Sequence, residues 1–203
     1  MATGTQTQTI TKPKRHLFDP DRLAYLETAG LRAYYDHKWF LMLRLVLQLM
    51  HEQFGLSWLR SVQAAYYTTR ASIAWAPKDN DPRTTHRYIR KFYRCAAKYG
   101  NLADFDPARV GDLEFKYWDL HRRYSGKAEG EKEPYIKCLE DLHSALFNLP
   151  LDSVRESAVE RARGTDAIDL ITSKRSTDVE ADWRRAESHL SKAYRSVVTL
   201  MSQ

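Results

Sequence analysis

Cysteine is scarce in this chain. Its 203 residues include only Cys95 and Cys138, with no C-x-x-C spacing. That excludes a disulfide framework and a cysteine zinc site, and the two thiols read as small buried side chains in a reducing, cytoplasmic setting. Glycine (8) and proline (7) are also few, whereas a β-sandwich or barrel of this length spends more of both on turns. Long apolar runs are missing. The most apolar stretch, Trp39 to Met50, is 12 residues long and is interrupted by Arg44 and Gln48. A membrane span takes about 20 residues, so none is expected. Met1 to Thr11 are rich in Thr and Gln and lack the apolar core of a secretory signal. With Lys12, Lys14, Arg15 and His16 they read as a disordered basic tail over residues 1–17, ahead of a single domain over 18–203. Catalytic signatures are absent too: no GxSxG, GxxxxGK[ST], HExxH or Gly-rich phosphate loop occurs.

What the chain does have is helix grammar. Phe18-Asp19-Pro20 and Phe105-Asp106-Pro107 each place Asp as an N-cap and Pro in the first turn, where the orphan backbone N–H groups need an acceptor and proline gives up no useful donor. Phe18 with Leu23, and Phe105 with Val110, have the spacing of hydrophobic staples. The pattern Phe-Asp-Pro-x-Arg-φ-x-x-Leu-Glu fits both 18–27 and 105–114. Beyond Glu27 and Glu114 the segments diverge, so the match reads as shared capping chemistry rather than a duplicated half. Asp81-Pro82 opens another helix, and Thr177-Asp178-Val179-Glu180 has the form of a capping box.

With the 3.6-residue apolar period, these starts predict about seven helices, over 20–54 (bent near Gly30), 56–75, 82–99, 107–124, 132–147, 151–171 and 177–200. No strict two-residue alternation extends over six residues, so the fold class is all-α, a multi-helix bundle. Its expected centre is the segment 31–54, because a helix that is apolar nearly all round is buried on most sides. Other core positions are Val179, Trp183, Ala186, Leu190, Tyr194 and Val197, and Val110, Leu113, Tyr117, Leu120 and Tyr124, at 3–4 spacing. The tyrosine pairs Tyr34-Tyr35 and Tyr66-Tyr67 suit core packing with rim hydroxyls, or an aromatic-lined cavity.

The helix over 82–99 carries the clearest surface signal. Arg83, Arg87, Arg90, Lys91, Arg94 and Lys98 fall on one side, while Thr85, Ile89, Phe92, Ala96 and Tyr99 form the opposite stripe. The helix contains no acid. Residues 1–104 hold 16 Lys+Arg against 8 Asp+Glu, a net +8, and the remaining 99 residues hold 16 against 18, a net −2; together they make the +6 of the whole chain. The positive excess therefore belongs to the N-terminal half. Such a stripe suits an acidic protein, a phosphate backbone or an anionic lipid surface.

The leading expectation is a non-enzymatic helical bundle that binds an acidic protein or other anionic partner through those six cations. The main alternative is a ferritin-like di-iron or di-manganese oxidoreductase. Carboxylates bridge two hard cations and imidazoles complete the shells in such bundles. Glu140 and His143 have the Glu-x-x-His spacing. Glu114 and His121 share a face of the preceding helix, and His51 and Glu52 lie on a narrow polar line through the apolar segment. A second Glu-x-x-His is missing. A third reading is a nucleic-acid-associated protein that grips backbones, with binding that falls steeply with salt. The turn Ile171 to Asp178, with its hydroxyls, Lys174, Arg175 and a following helix start, suits either an ordinary capped loop or an anion.

Overall fold

The computed structural model describes residues 15–203. Eight α-helices follow one another: α1 Pro20–Tyr35, α2 Trp39–Phe54, α3 Trp58–Trp75, α4 Pro82–Tyr99, α5 Pro107–Tyr124, α6 Glu133–Phe147, α7 Arg155–Thr172 and α8 Val179–Met201. Two 3-10 turns, Glu129–Glu131 and Leu151–Ser153, precede α6 and α7. Among the described residues there is no strand, and no helix is long and apolar enough to cross a membrane. Each helix packs on the next, and α8 packs back on α1. The order is therefore cyclic, with α1 and α5 four helices apart. One continuous cluster of buried residues, from Leu23 on α1 to Val197 on α8, takes members from all eight.

The expected caps set the helix starts. Asp19 accepts the Asp21 and Arg22 N–H groups, Asp81 accepts that of Thr84 and Asp106 that of Ala108. Both staple pairs, Phe18 with Leu23 and Phe105 with Val110, are buried in the shared core. At α8 the cap is Asp178, which accepts from Ala181 N–H, so the helix begins one residue later than a Thr177 capping box would have it. Five of the six core positions expected there are buried, and Val179, in the first turn, stays exposed. The expected tail falls mainly on residues 1–14, outside the described residues. Arg15 and His16 are anchored: the His16 N–H donates to Asn101 O (2.8 Å), its Nε2 lies 2.6 Å from Glu52 O, and Arg15 donates to Asn148 O.

The first expected helix is in fact two. The chain runs straight through Gly30, which is buried beside Leu45, and reverses at Asp36–Lys38. There His37 adopts φ 57°, its N–H donates to Tyr34 O and the Lys38 N–H donates to Ala33 O. This pairing is a Schellman close, with histidine in the left-handed position that glycine usually takes. A β-carbon there is strained. Replacing His37 by glycine is expected to raise stability by about 0.5–1 kcal/mol, allowing for the extra freedom glycine has when unfolded. Chemical denaturation measures this, and an unchanged or lowered midpoint contradicts it.

The α2 helix is not a central helix wrapped by the others; it packs on α1 and α3 and leaves its outward side uncovered. Only Leu45, Met50 and Phe54 are buried, whereas Phe40 is 93% exposed and Trp39, Leu41 and Leu43 are about half exposed. The apolar pattern alone predicts burial; in the structure α1 and α3 cover only one side of α2 and leave the other open.

Candidate functional site

The α4 helix is positioned by its apolar side. Thr85, Ile89, Phe92 and Ala96 are buried as expected, together with Tyr88, Tyr93 and Cys95. Tyr99 stays partly exposed, with the Arg60 guanidinium 3.6 Å above its ring. The opposite side faces solvent. Arg83, His86, Arg87, Arg90, Lys91 and Arg94 line a surface depression of about 270 Å³. Five of the six expected cations are thus brought together, with His86 added. Lys98 lies further along α4, beside Tyr99.

Among the described residues one acid pairs with these side chains. Asp112 on α5 receives two hydrogen bonds from Arg90 (2.7 and 2.6 Å) and also touches His86. The helices come this close because position 111 is glycine: a β-carbon there would sit 2.9 Å from Arg90 Cγ. The Arg90 hydrogen bonds are the main cause that holds the Asp112 carboxyl below its ordinary value, followed by a smaller opposing effect of burial. Among the described residues, no carboxylate lies within ion-pair distance of Arg83, Arg87, Lys91, Arg94 or Lys98. Arg87 and Lys91 instead lie about 5 Å from the Tyr88 ring, which Arg70 of α3 also approaches. A second depression, of about 320 Å³, is lined by Asp21, Arg184, Glu187, Ser188 and Ser191. Its charges are mixed, and Asp21 is bonded to Ser191 and Arg195.

The expected metal ligands do not converge. The His51 ring stacks on Trp58 and its Nδ1 is 2.6 Å from Leu56 O, while the Glu52 carboxylate accepts the Asp19 N–H. Glu114 accepts from Tyr93 (2.9 Å) and Trp118 (2.8 Å). His121 pairs with Asp169, and Glu140 pairs with Arg155. His143 is buried and shares a 2.7 Å hydrogen bond with Ser157. Among the described residues no three His, Cys, Asp or Glu side chains gather as a metal site. The thiols offer no nucleophile either, since burial pushes Cys138 up to about 11 and raises Cys95 as well. Of the paired tyrosines, Tyr34, Tyr35 and Tyr66 are exposed and Tyr67 packs partly buried against the core; none lines either depression. In the 171–178 turn Arg175 donates to Ser173 and Asp178 is spent on the cap of α8, as in an ordinary loop.

One feature of the interior was not foreseen. Glu27 and Glu114, the last residues of the two matching decapeptides, both point into the core, so the match reaches beyond capping. Arg161 on α7 donates two hydrogen bonds to Glu27 (3.0 and 2.7 Å) and one to the Tyr194 hydroxyl. Burial pushes the Glu27 carboxyl up, but Arg161 outweighs it and leaves the group below its ordinary value. Glu114, which lacks an ion pair of its own, is raised by burial. The doubled Phe-Asp-Pro…Leu-Glu pattern was the available signal for the two carboxylates. Nothing local marked Arg161.

Comparison with protein-family models, curated proteins and solved structures finds no match to this chain.

Proposed function

We propose that this helical bundle is a binding module that captures an anionic partner on α4. The observation that supports the reading is the 270 Å³ depression, whose lining is basic throughout and whose cations, Arg90 and His86 apart, have no acidic partner among the described residues. Arginine forks offer paired donors that fit carboxylates and phosphates, and a cluster of one sign draws such groups in. The α4 backbone is held by seven buried side chains behind it, so the cations are presented from a rigid element.

Arg90 is committed to Asp112, so a clean test leaves it in place. In the triple variant Arg83→Glu, Arg87→Glu, Arg94→Glu, binding to poly-L-glutamate measured by titration calorimetry is expected to be lost. Exposed substitutions away from packing change stability by about 0.5 kcal/mol or less each, so the thermal midpoint should move little. Retained affinity in a folded triple variant overturns the reading.

A further inference from the structure

The α2 and α3 helices carry apolar residues outward along their length. On α2 Phe40 and Leu43 are exposed and Leu47 partly so; on α3 Leu59, Val62, Tyr66 and Ile73 are exposed, at spacings of three, four and seven. Leu59 is 75% exposed and Ile73 63%. The stripes meet at the turn around Gly55, where Trp58, itself more than half exposed, stacks on His51. With Trp39, the exposed area is on the order of 1,000 Å², at roughly 200 Å² for a fully exposed large side chain. A monomer ordinarily leaves a largest patch of only about 300–600 Å². Neither depression described above includes an α2 or α3 residue.

The charges around the face choose between occupants. Residues 36–79 hold five cations, Lys38, Arg44, Arg60, Arg70 and Lys78, against Asp36, Glu52 and Asp79. Lys38 is paired with Asp36 (2.9 Å) and the Glu52 carboxylate is bonded to the Asp19 N–H, while among the described residues Arg44, Arg60 and Arg70 have no carboxylate within ion-pair distance. Arg44 stands exposed between Phe40 and Leu47 on the outward side of α2. A second copy of the chain, packed face to face, would bring unpaired arginines against their own kind. The cationic rim also runs on into the α4 face. Arg60 covers Tyr99, Arg70 lies over Tyr88, and the Tyr66 and Tyr88 rings are 6.2 Å apart. Exposed Trp, Tyr and Phe bordered by long cationic side chains match the boundary zone of an anionic bilayer.

We propose that α2 and α3 form a membrane-surface docking face, which seats their apolar stripes among the acyl chains of an anionic lipid leaflet while the cations of α2, α3 and α4 engage the headgroup phosphates. The inference rests on the reading of α4 as an anion-binding face. Trp39 and Trp58 sit within the docking face and report on insertion.

The test is vesicle co-sedimentation of the full chain with phosphatidylserine-containing and pure phosphatidylcholine vesicles, with brominated lipid as a tryptophan quencher. Binding to the anionic vesicles alone, with quenching, is expected. The double variant Phe40→Ser, Leu59→Ser is expected to lower partitioning by about tenfold or more, given what burial of such side chains contributes. The α4 triple variant is expected to weaken it as well. If the double variant binds anionic vesicles like the parent, the docking face is wrong and the α4 reading stands. If the parent binds poly-L-glutamate but no vesicle, the lipid inference falls and the α4 reading again stands. Binding to neither overturns both. A dimer in sedimentation that the double variant converts to monomer, with no vesicle binding, assigns the face to a second copy and overturns the inference.

Discussion

Replacing Arg161 by methionine is expected to destabilise the bundle by about 3 kcal/mol, the lower end of what breaking a buried ion pair costs. Arg161 and Glu27 are 19% and 17% exposed at their side chains. Glu27 would face the raising effect of burial with only the Tyr194 hydroxyl left to bond it. The Glu114 carboxyl, whose charge opposes that of Glu27, would lose the stabilising field of Arg161 at the same time. Methionine keeps most of the packing volume, so the loss reads the charge and not a cavity. For a chain of this size the thermal midpoint should fall by about 6–12 °C. Pairing Arg161→Met with Glu27→Leu should recover much of the loss, because a buried ion pair exchanged whole for apolar side chains is often neutral. A single variant within about 1 kcal/mol of the parent, or a double variant no better than the single, refutes this account.

Acid should weaken the fold through His143 before the carboxylates that are held low in the folded state act; Glu114, raised by burial, works in the opposite direction. The imidazole is buried against Phe147 and Ser157. Burial, aided by the charge of Arg161, brings it from 6.5 down to about 3. In the unfolded chain it takes up a proton below about pH 6.5, and in the folded chain it does not until about pH 3. The unfolded state therefore binds more protons across that window, and stability falls as pH falls. The loss amounts to about 2 kcal/mol between neutral pH and pH 5. Glu27, Asp112, Asp169 and Glu160 are held low in the folded state, so each adds its own loss only below its unfolded value of 4.5 or 3.8. The difference between the parent and His143→Gln isolates the histidine contribution between pH 6.5 and 5. If the two denaturation profiles run parallel there, His143 is not the group that responds.

Much of the fold could be read from local chemistry. An Asp-Pro start announces itself because the cap and the first turn are adjacent in sequence, and α1, α4 and α5 begin where Asp19, Asp81 and Asp106 place them. The break after α1 was hidden because a histidine, not a glycine, takes the left-handed turn at position 37. The position of α2 was hidden for a different reason: periodicity reports how much apolar surface a helix has, and not whether anything covers it. The basic side of α4 was legible because all six cations share one helix. The neutralising role of Asp112 was not, since it arrives from α5. The Glu-x-x-His at 140–143 carried no information about a site. Its Glu turns to Arg155 and its His to Ser157, both on α7, so each is already satisfied within the fold.

The closure of α8 onto α1 has a consequence for how the chain is made. Asp21 is bonded to Arg195, Arg32 to Glu180 and Glu27 to Arg161, across separations of 174, 148 and 134 residues. At ordinary translation rates of about 5–20 residues per second, α1 leaves the ribosome roughly 7–35 s before the partners that cover its inner face. During that interval Leu23 and Leu26 have only α2 to pack on, and the carboxyl of Glu27 has no guanidinium. The first hairpin therefore waits in an open state whose apolar surface needs protection, and the ring is completed only when its last helix emerges.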